Sequence, residues 1–201
     1  MKGKTPFRED DFRFKRRERE PKPQIIAVVF LVMDQSGSMN QERIMIARAV
    51  CQYFLRWLRK KREYKDVVAV FIKQEGISEE VLEEQFFTRI GSGGTKFSTA
   101  WVLIDDLISK KYPPQRYNAY AIHFTDGENE GQDNPVGEKA MDVLLPRLNL
   151  FGYFQYKELA SSNATWNMLT NVQKKRRNLK LIIVESATSV RSAIEEFLEE
   201  E

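Results

Sequence analysis

Ile25-Ile26-Ala27-Val28-Val29-Phe30-Leu31-Val32-Met33 is an unbroken apolar, largely β-branched run that stops at Asp34-Gln35-Ser36-Gly37-Ser38. A strand with one wet face alternates apolar and polar residues. A run without alternation needs cover on both faces, as in the interior of a parallel sheet. The polar stop then marks the carboxyl end of that strand. The run is far shorter than the roughly 20 residues of a membrane span, so no membrane segment is expected.

The remaining chain alternates helical and strand patterns. Gln41 to Arg62 reads as a helix, with Ile44, Ala47, Val50, Cys51, Phe54, Leu55 and Leu58 on one stripe. Its terminal Arg59-Lys60-Lys61-Arg62 suits a helix C-terminus. Further strands are expected at Val67–Ile72, Tyr117–Thr125, Leu150–Gln155 and Leu179–Val184, and a short returning edge strand at Gly76–Val81. Helices are expected at Ser98–Lys110, Pro135–Leu148, Asn163–Lys175 and Ser189–Glu200. This order implies an α/β fold: three layers, doubly wound, with a mainly parallel sheet and one short antiparallel edge strand.

Residues 1–23 read as a basic arm and 24–201 as one domain. The arm holds nine Lys/Arg and five Asp/Glu; with a formal net charge of +3 for the whole chain, the remainder nets −1. The arm has no apolar run, so no secretory signal is expected. One cysteine, Cys51, excludes an internal disulfide and a cysteine metal cluster. A reducing, cytoplasmic setting follows as the expectation.

In open α/β sheets, ligands bind beyond the carboxyl ends of the strands. Three polar loops fall there. The first supplies Asp34, Ser36 and Ser38, the second Thr95, and the third Asp126. All five side chains carry oxygen, the donor that Mg²⁺ prefers. Two carboxylates brought together without a cation would repel, and one would tend to hold a proton. Bland roles exist for each: Ser38 and Thr95 could cap helices, and Asp126-Gly127 could be a plain turn.

Asp34-Gln35-Ser36-Gly37-Ser38-Met39, Gly93-Gly94-Thr95 and Thr125-Asp126-Gly127 together resemble the metal-ion-dependent adhesion site of von Willebrand factor type A domains. The resemblance implies that Asp34, Ser36, Ser38, Thr95 and Asp126 surround a divalent cation, Mg²⁺ foremost, with Mn²⁺ and Ca²⁺ as alternatives. It implies that an acidic residue of a protein partner completes the shell, and that the chain is a binding module rather than an enzyme.

Glu84-Gln85-Phe86-Phe87, Ser92-Gly93-Gly94-Thr95, Lys111-Tyr112-Pro113-Pro114, Tyr117-Asn118-Ala119-Tyr120-Ala121, Asp126-Gly127-Glu128-Asn129 and Phe12-Arg13-Phe14-Lys15-Arg16 resemble the YhbH/YeaH family of bacterial cytoplasmic proteins. That likeness spans roughly residues 10 to 185. It implies a sporulation or stress setting, with a PrkA-type AAA+ serine kinase or a SpoVR-like protein as the expected partner. Members of that family carry a longer region before the first strand, and a His-His pair where this chain has Gln74 and Glu75. Gln35 replaces a small apolar residue and is expected to point away from the metal.

Other readings are disfavoured. A nucleophilic triad would need His123, the only histidine, which lies inside an apolar strand. A Mg²⁺-dependent phosphohydrolase would need a base, and no phosphate-binding Gly-x-x-x-x-Gly-Lys loop is present. Nucleic-acid binding would rest on the arm and on Lys174-Lys175-Arg176-Arg177, and no aromatic platform accompanies either.

Overall fold

The computed structural model of the protein describes residues 25–88, 94–156 and 163–199. The arm, with Ser92 and Gly93 of the second loop, lies outside the described residues. In chain order the elements are β1 (Ile25–Asp34), α1 (Gln41–Lys60), β2 (Tyr64–Gln74), β3 (Ser78–Val81), α2 (Glu83–Phe86), α3 (Phe97–Lys110), β4 (Tyr117–Thr125), α4 (Asn134–Leu144), β5 (Leu150–Tyr156), α5 (Ala164–Gln173), β6 (Leu179–Val184) and α6 (Val190–Leu198).

The sheet has six strands in the order β3-β2-β1-β4-β5-β6. All neighbours are parallel except β2 and β3, which pair as an antiparallel hairpin with Ile72 opposite Glu80. The expected class and the edge strand are both present. β1 lies centrally, between β2 and β4, and Ala27 to Met33 are fully buried. This is why its sequence shows no alternation.

Parity in β1 divides the two cores. Ala27, Val29, Leu31 and Met33 face α1 and α6, where Ile44, Val50, Phe54, Ile194 and Phe197 meet them. Val28, Phe30 and Val32 face α3, α4 and α5, with Phe97, Trp101, Met141 and Leu169. Each fully buried large apolar side chain contributes roughly 1.5–3 kcal/mol, so the central strand is stabilised from both sides.

Several boundaries differ from the sequence expectation, each for a local reason. β2 extends outward to Tyr64 because its early residues pair with the start of β1, Ile25 opposite Tyr64. α4 ends at Leu144 and a 3₁₀ turn takes over at Leu145–Arg147, where Pro146 lacks an amide proton. Asn163 is the cap of α5 rather than its first helical residue: its side chain accepts from the Thr165 N–H. The single turn α2 was not expected. It buries Phe86 against Phe71, with ring centroids 5.2 Å apart.

Gly152 in β5 is a packing glycine. A Cβ there would lie 2.6 Å from Phe154 and 2.7 Å from Phe197. Gly152→Ala is expected to destabilise the protein by about 1–3 kcal/mol through overpacking. Urea unfolding monitored by tryptophan fluorescence checks this; an unchanged midpoint would contradict it.

Candidate metal centre

Four strands end on the α3-side face in a row of polar residues: Gln74 of β2, Asp34 of β1, Thr125 of β4 and Gln155 of β5, all fully buried. Asp34 is opposite Gln74, and Thr125 is opposite Gln155. Thr125 Oγ1 donates to Asp34 Oδ2 at 2.7 Å and accepts from Gly127 N–H at 2.9 Å. Asp34 Oδ1 accepts from Ser36 N–H at 2.8 Å, which turns the loop away from the strand axis.

The loop after β1 points its hydroxyls at each other: Ser36 Oγ and Ser38 Oγ lie 3.0 Å apart. Ser38 does not cap α1. Asn40 does, accepting from Arg43 N–H at 2.9 Å. Thr95 does not cap α3 either. Two groups from the loop after β4 serve that helix end instead: Asn129 accepts from Phe97 N–H at 3.1 Å, and Asp133 accepts from Ser98 N–H at 2.9 Å. The bland roles open to both residues are therefore filled by others.

Asp126 follows β4 directly and is 1% exposed. Its Oδ2 accepts from Arg43 Nη1 at 2.8 Å, and the same Nη1 donates to Ser38 O at 2.9 Å. One guanidinium thus ties the first loop to the third. The Arg43 guanidinium also lies 5.0 Å from the Tyr156 ring centroid. Thr95, nearly buried, is held on the same rim by its backbone: its carbonyl accepts from Glu130 N–H at 2.9 Å, and Lys96 N–H donates to Glu75 O at 3.1 Å. Asp34, Ser36, Ser38 and Asp126 are linked through side-chain and loop hydrogen bonds, whereas Thr95 is linked through main chain.

Burial raises the Asp34 carboxyl to about 6; hydrogen bonds from Thr125 and Ser36 oppose the rise, and the Asp126 charge adds to it. Burial, more than the neighbouring Asp126 charge, is what makes the charged form of Asp34 unfavourable. Below the row, the Tyr153 phenol is pushed up by burial and by the charges of Asp34 and Asp126.

The donor set fits a hard divalent cation: two carboxylates and three hydroxyls, with a carboxyl that burial leaves strained in its charged form. Among the described residues, no cluster of three or more His, Cys, Asp or Glu side chains is placed to hold a metal. Any site here rests on hydroxyls as much as on carboxylates.

Arg43 was missed from the sequence, although a signal was present. It is the third residue of α1, where a cation opposes the helix dipole. Thr125 was also missed as a participant. Gly37 has open space where a Cβ would go, whereas Gly127 has φ +96°, in the left-handed region. Gln35 turns to α2, its Nε2 donating to Phe86 O at 3.2 Å, away from the row as expected. Gln74 and Glu75, in place of the His pair, lie on the rim: Gln74 Nε2 donates to Glu75 O at 2.8 Å. His123 is fully buried, and its Nδ1 accepts from the Trp101 indole at 3.1 Å. Burial lowers its pKa to about 3. It is a core residue of the α3 side, and among the described residues no serine bonds it.

With the fold and rim in place, solved structures identify the class. The chain superposes on a von Willebrand factor type A protein from Catenulispora acidiphila with a TM-score of 0.60 at 14% identity, covering 84% of this chain and 40% of that one. The SpRpn10 von Willebrand A domain gives 0.59 at 10% identity, covering 83% and 94%. Manganese-loaded Plasmodium vivax TRAP protein gives 0.54 at 11%, covering 84% and 71%. The fold is that of a von Willebrand factor type A domain.

Residues 2–201 match the family described as Protein of unknown function (DUF444), and the chain belongs to it. A UPF0229 protein of Bacillus cereus strain G9842 is 33% identical over 204 residues, covering all of this chain and 51% of the relative. A UPF0229 protein of Bacillus thuringiensis strain Al Hakam matches to the same extent. The chain spans about half the length of the curated relatives it matches.

The Asp34 shift gives a pH signature. The folded-state pKa, about 6, lies above the ordinary 3.8. The folded protein therefore binds this proton more tightly, and the charged carboxyl opposes folding most at pH above 6. In chelator, lowering the pH from 7 to 5 should stabilise the wild type relative to Asp34→Asn by about 1 kcal/mol. Urea titrations at both pH values check this; equal pH dependence in the two proteins would refute the assignment.

Proposed function

We propose that this chain is a metal-dependent protein-binding module. Asp34, Ser36, Ser38, Thr95 and Asp126 would hold the cation, Mg²⁺ in preference to Mn²⁺ or Ca²⁺. Bound there, the cation would supply an open coordination position for an anionic oxygen. An acidic side chain of a partner protein would fill it.

The observation that carries this reading is the meeting of two buried carboxylates, one at the end of β1 and one just after β4, at one rim, with the Arg43 guanidinium beside Asp126. Asp34 lacks that guanidinium, which bonds Asp126. The serine hydroxyls add oxygen without charge, so the protein ligands neutralise a dication without exceeding its charge. Arg43 then contributes a positive group beside the site, which favours an acidic over a basic partner.

Plasmodium vivax TRAP protein, one of the structural neighbours, is manganese-loaded, which supports a cation-binding reading here. The likeness to the YhbH/YeaH family supports a partner in a bacterial stress or sporulation system. We propose a PrkA-type AAA+ serine kinase or a SpoVR-like protein in the cytoplasm. No helix among the described residues is long and apolar enough to cross a membrane. A nucleophilic triad is disfavoured, because the sole histidine is buried and accepts from the Trp101 indole.

Calorimetric titration of Mg²⁺ into chelator-stripped protein should give saturable binding, lost in Asp34→Ala. At a hundred times Kd, Mg²⁺ should raise unfolding free energy by about 2.7 kcal/mol. A pull-down from cell extract should recover a partner that both chelator and Asp34→Ala remove. Absent binding, or binding indifferent to Asp34→Ala, rejects the proposal.

A further inference from the structure

Two basic runs play no part in the metal-centre reading: Arg59-Lys60-Lys61-Arg62 at the end of α1, and Lys174-Lys175-Arg176-Arg177 at the end of α5. Taken singly, each suits a helix C-terminus. The fold joins them. Lys61 of the first run and Arg177 of the second line one cavity of about 440 Å³, together with Lys180 of β6. The cavity lies where β5 and β6 begin, at the pole of the sheet opposite Asp34. The ten residues of β1 run between the two poles, a span of roughly 30 Å.

The concentration of positive charge is local. Outside residues 1–23 the chain nets −1, yet among the described residues of this lining Lys61, Arg177 and Lys180 are basic and Glu199 is acidic. The cations bring donors in number, three on each Lys and five on Arg, and no acceptor. An Arg fork and an ammonium group on one lining, Arg177 with Lys61, suit a tetrahedral oxyanion of charge −2.

The walls are set in advance. Lys61 Nζ sits 4.2 Å from the centroid of the Trp57 ring, and Trp57 stacks on Phe54 at 5.8 Å. The indole is thus engaged by both neighbours and offers no open platform for a nucleobase. Lys61 lies 3.7 Å from the carboxylate of Glu63, which is mostly exposed and therefore a weak competitor. Asn178 is pinned by its Nδ2, which donates to Leu145 O at 2.7 Å and to Leu148 O at 2.9 Å. The volume is that of a small-molecule site.

We propose that this cavity binds a small phosphomonoester dianion, independently of the metal centre. Phenyl phosphate is the probe, titrated in chelator at low salt and followed by NMR and calorimetry. Saturable binding is expected, with movement of the Trp57 indole and Asn178 side-chain amide signals. Lys61→Ala with Arg177→Ala should weaken binding roughly tenfold or more, about 1.4 kcal/mol per decade. Lys60→Ala with Lys174→Ala removes the same charge outside the cavity and should change affinity less than about twofold. Equal loss in both double variants would mean diffuse attraction and overturn the site, as would the absence of saturation. Inorganic phosphate binding as tightly as phenyl phosphate would overturn the ester assignment. Unfolding midpoints of the variants, expected to match wild type, separate lost binding from lost folding.

Discussion

The hydrogen bond from Thr125 to Asp34 organises the carboxyl end of the sheet. It joins the two central strands where their backbone pairing ends. It holds a carboxylate that is fully buried, and it requires the loop residues that follow each strand to supply the remaining contacts. Ser36 N–H answers one oxygen of Asp34, and Gly127 N–H answers Thr125. Arg43 then closes the gap between the loops through Asp126 and the Ser38 carbonyl. Charge at this end is thus set by burial. The same carboxylate on an open surface would keep its ordinary proton affinity and would place little demand on a counter-ion.

Much of this was legible in the sequence, for identifiable reasons. The run from Ile25 to Met33 lacks alternation because β1 is covered on both faces, so its period reported its environment directly. The hairpin at β3 was legible because a short polar strand after a turn fits an edge. Asp34 and Asp126 could be paired from their positions at strand ends, since parallel topology brings such ends to one rim.

What escaped the sequence depends on side chains crossing between elements. Arg43 looks like an ordinary surface cation until the fold brings Asp126 within 2.8 Å. Thr125 reads as a strand terminus, not as the donor to Asp34. The caps of α3 come from Asn129 and Asp133, more than 30 residues away, so no local pattern shows that Thr95 is released from that duty. α2 is a single turn, too short for periodicity to register. The two basic runs are alike in this respect: each has a sufficient local explanation, and only tertiary structure brings Lys61 and Arg177 to one wall.

The hairpin at the sheet margin has a consequence for assembly. A parallel sheet exposes unpaired amides and carbonyls along its outermost strands, which invites a second chain to add on. At one margin β3 is only four residues long, runs counter to β2, and carries Glu79 and Glu80, the latter held by Lys111 at 2.5 Å. An incoming strand there would find a short template and like charges. Lateral growth from that side is discouraged by the hairpin alone, which leaves β6 as the margin where strand addition would have to begin.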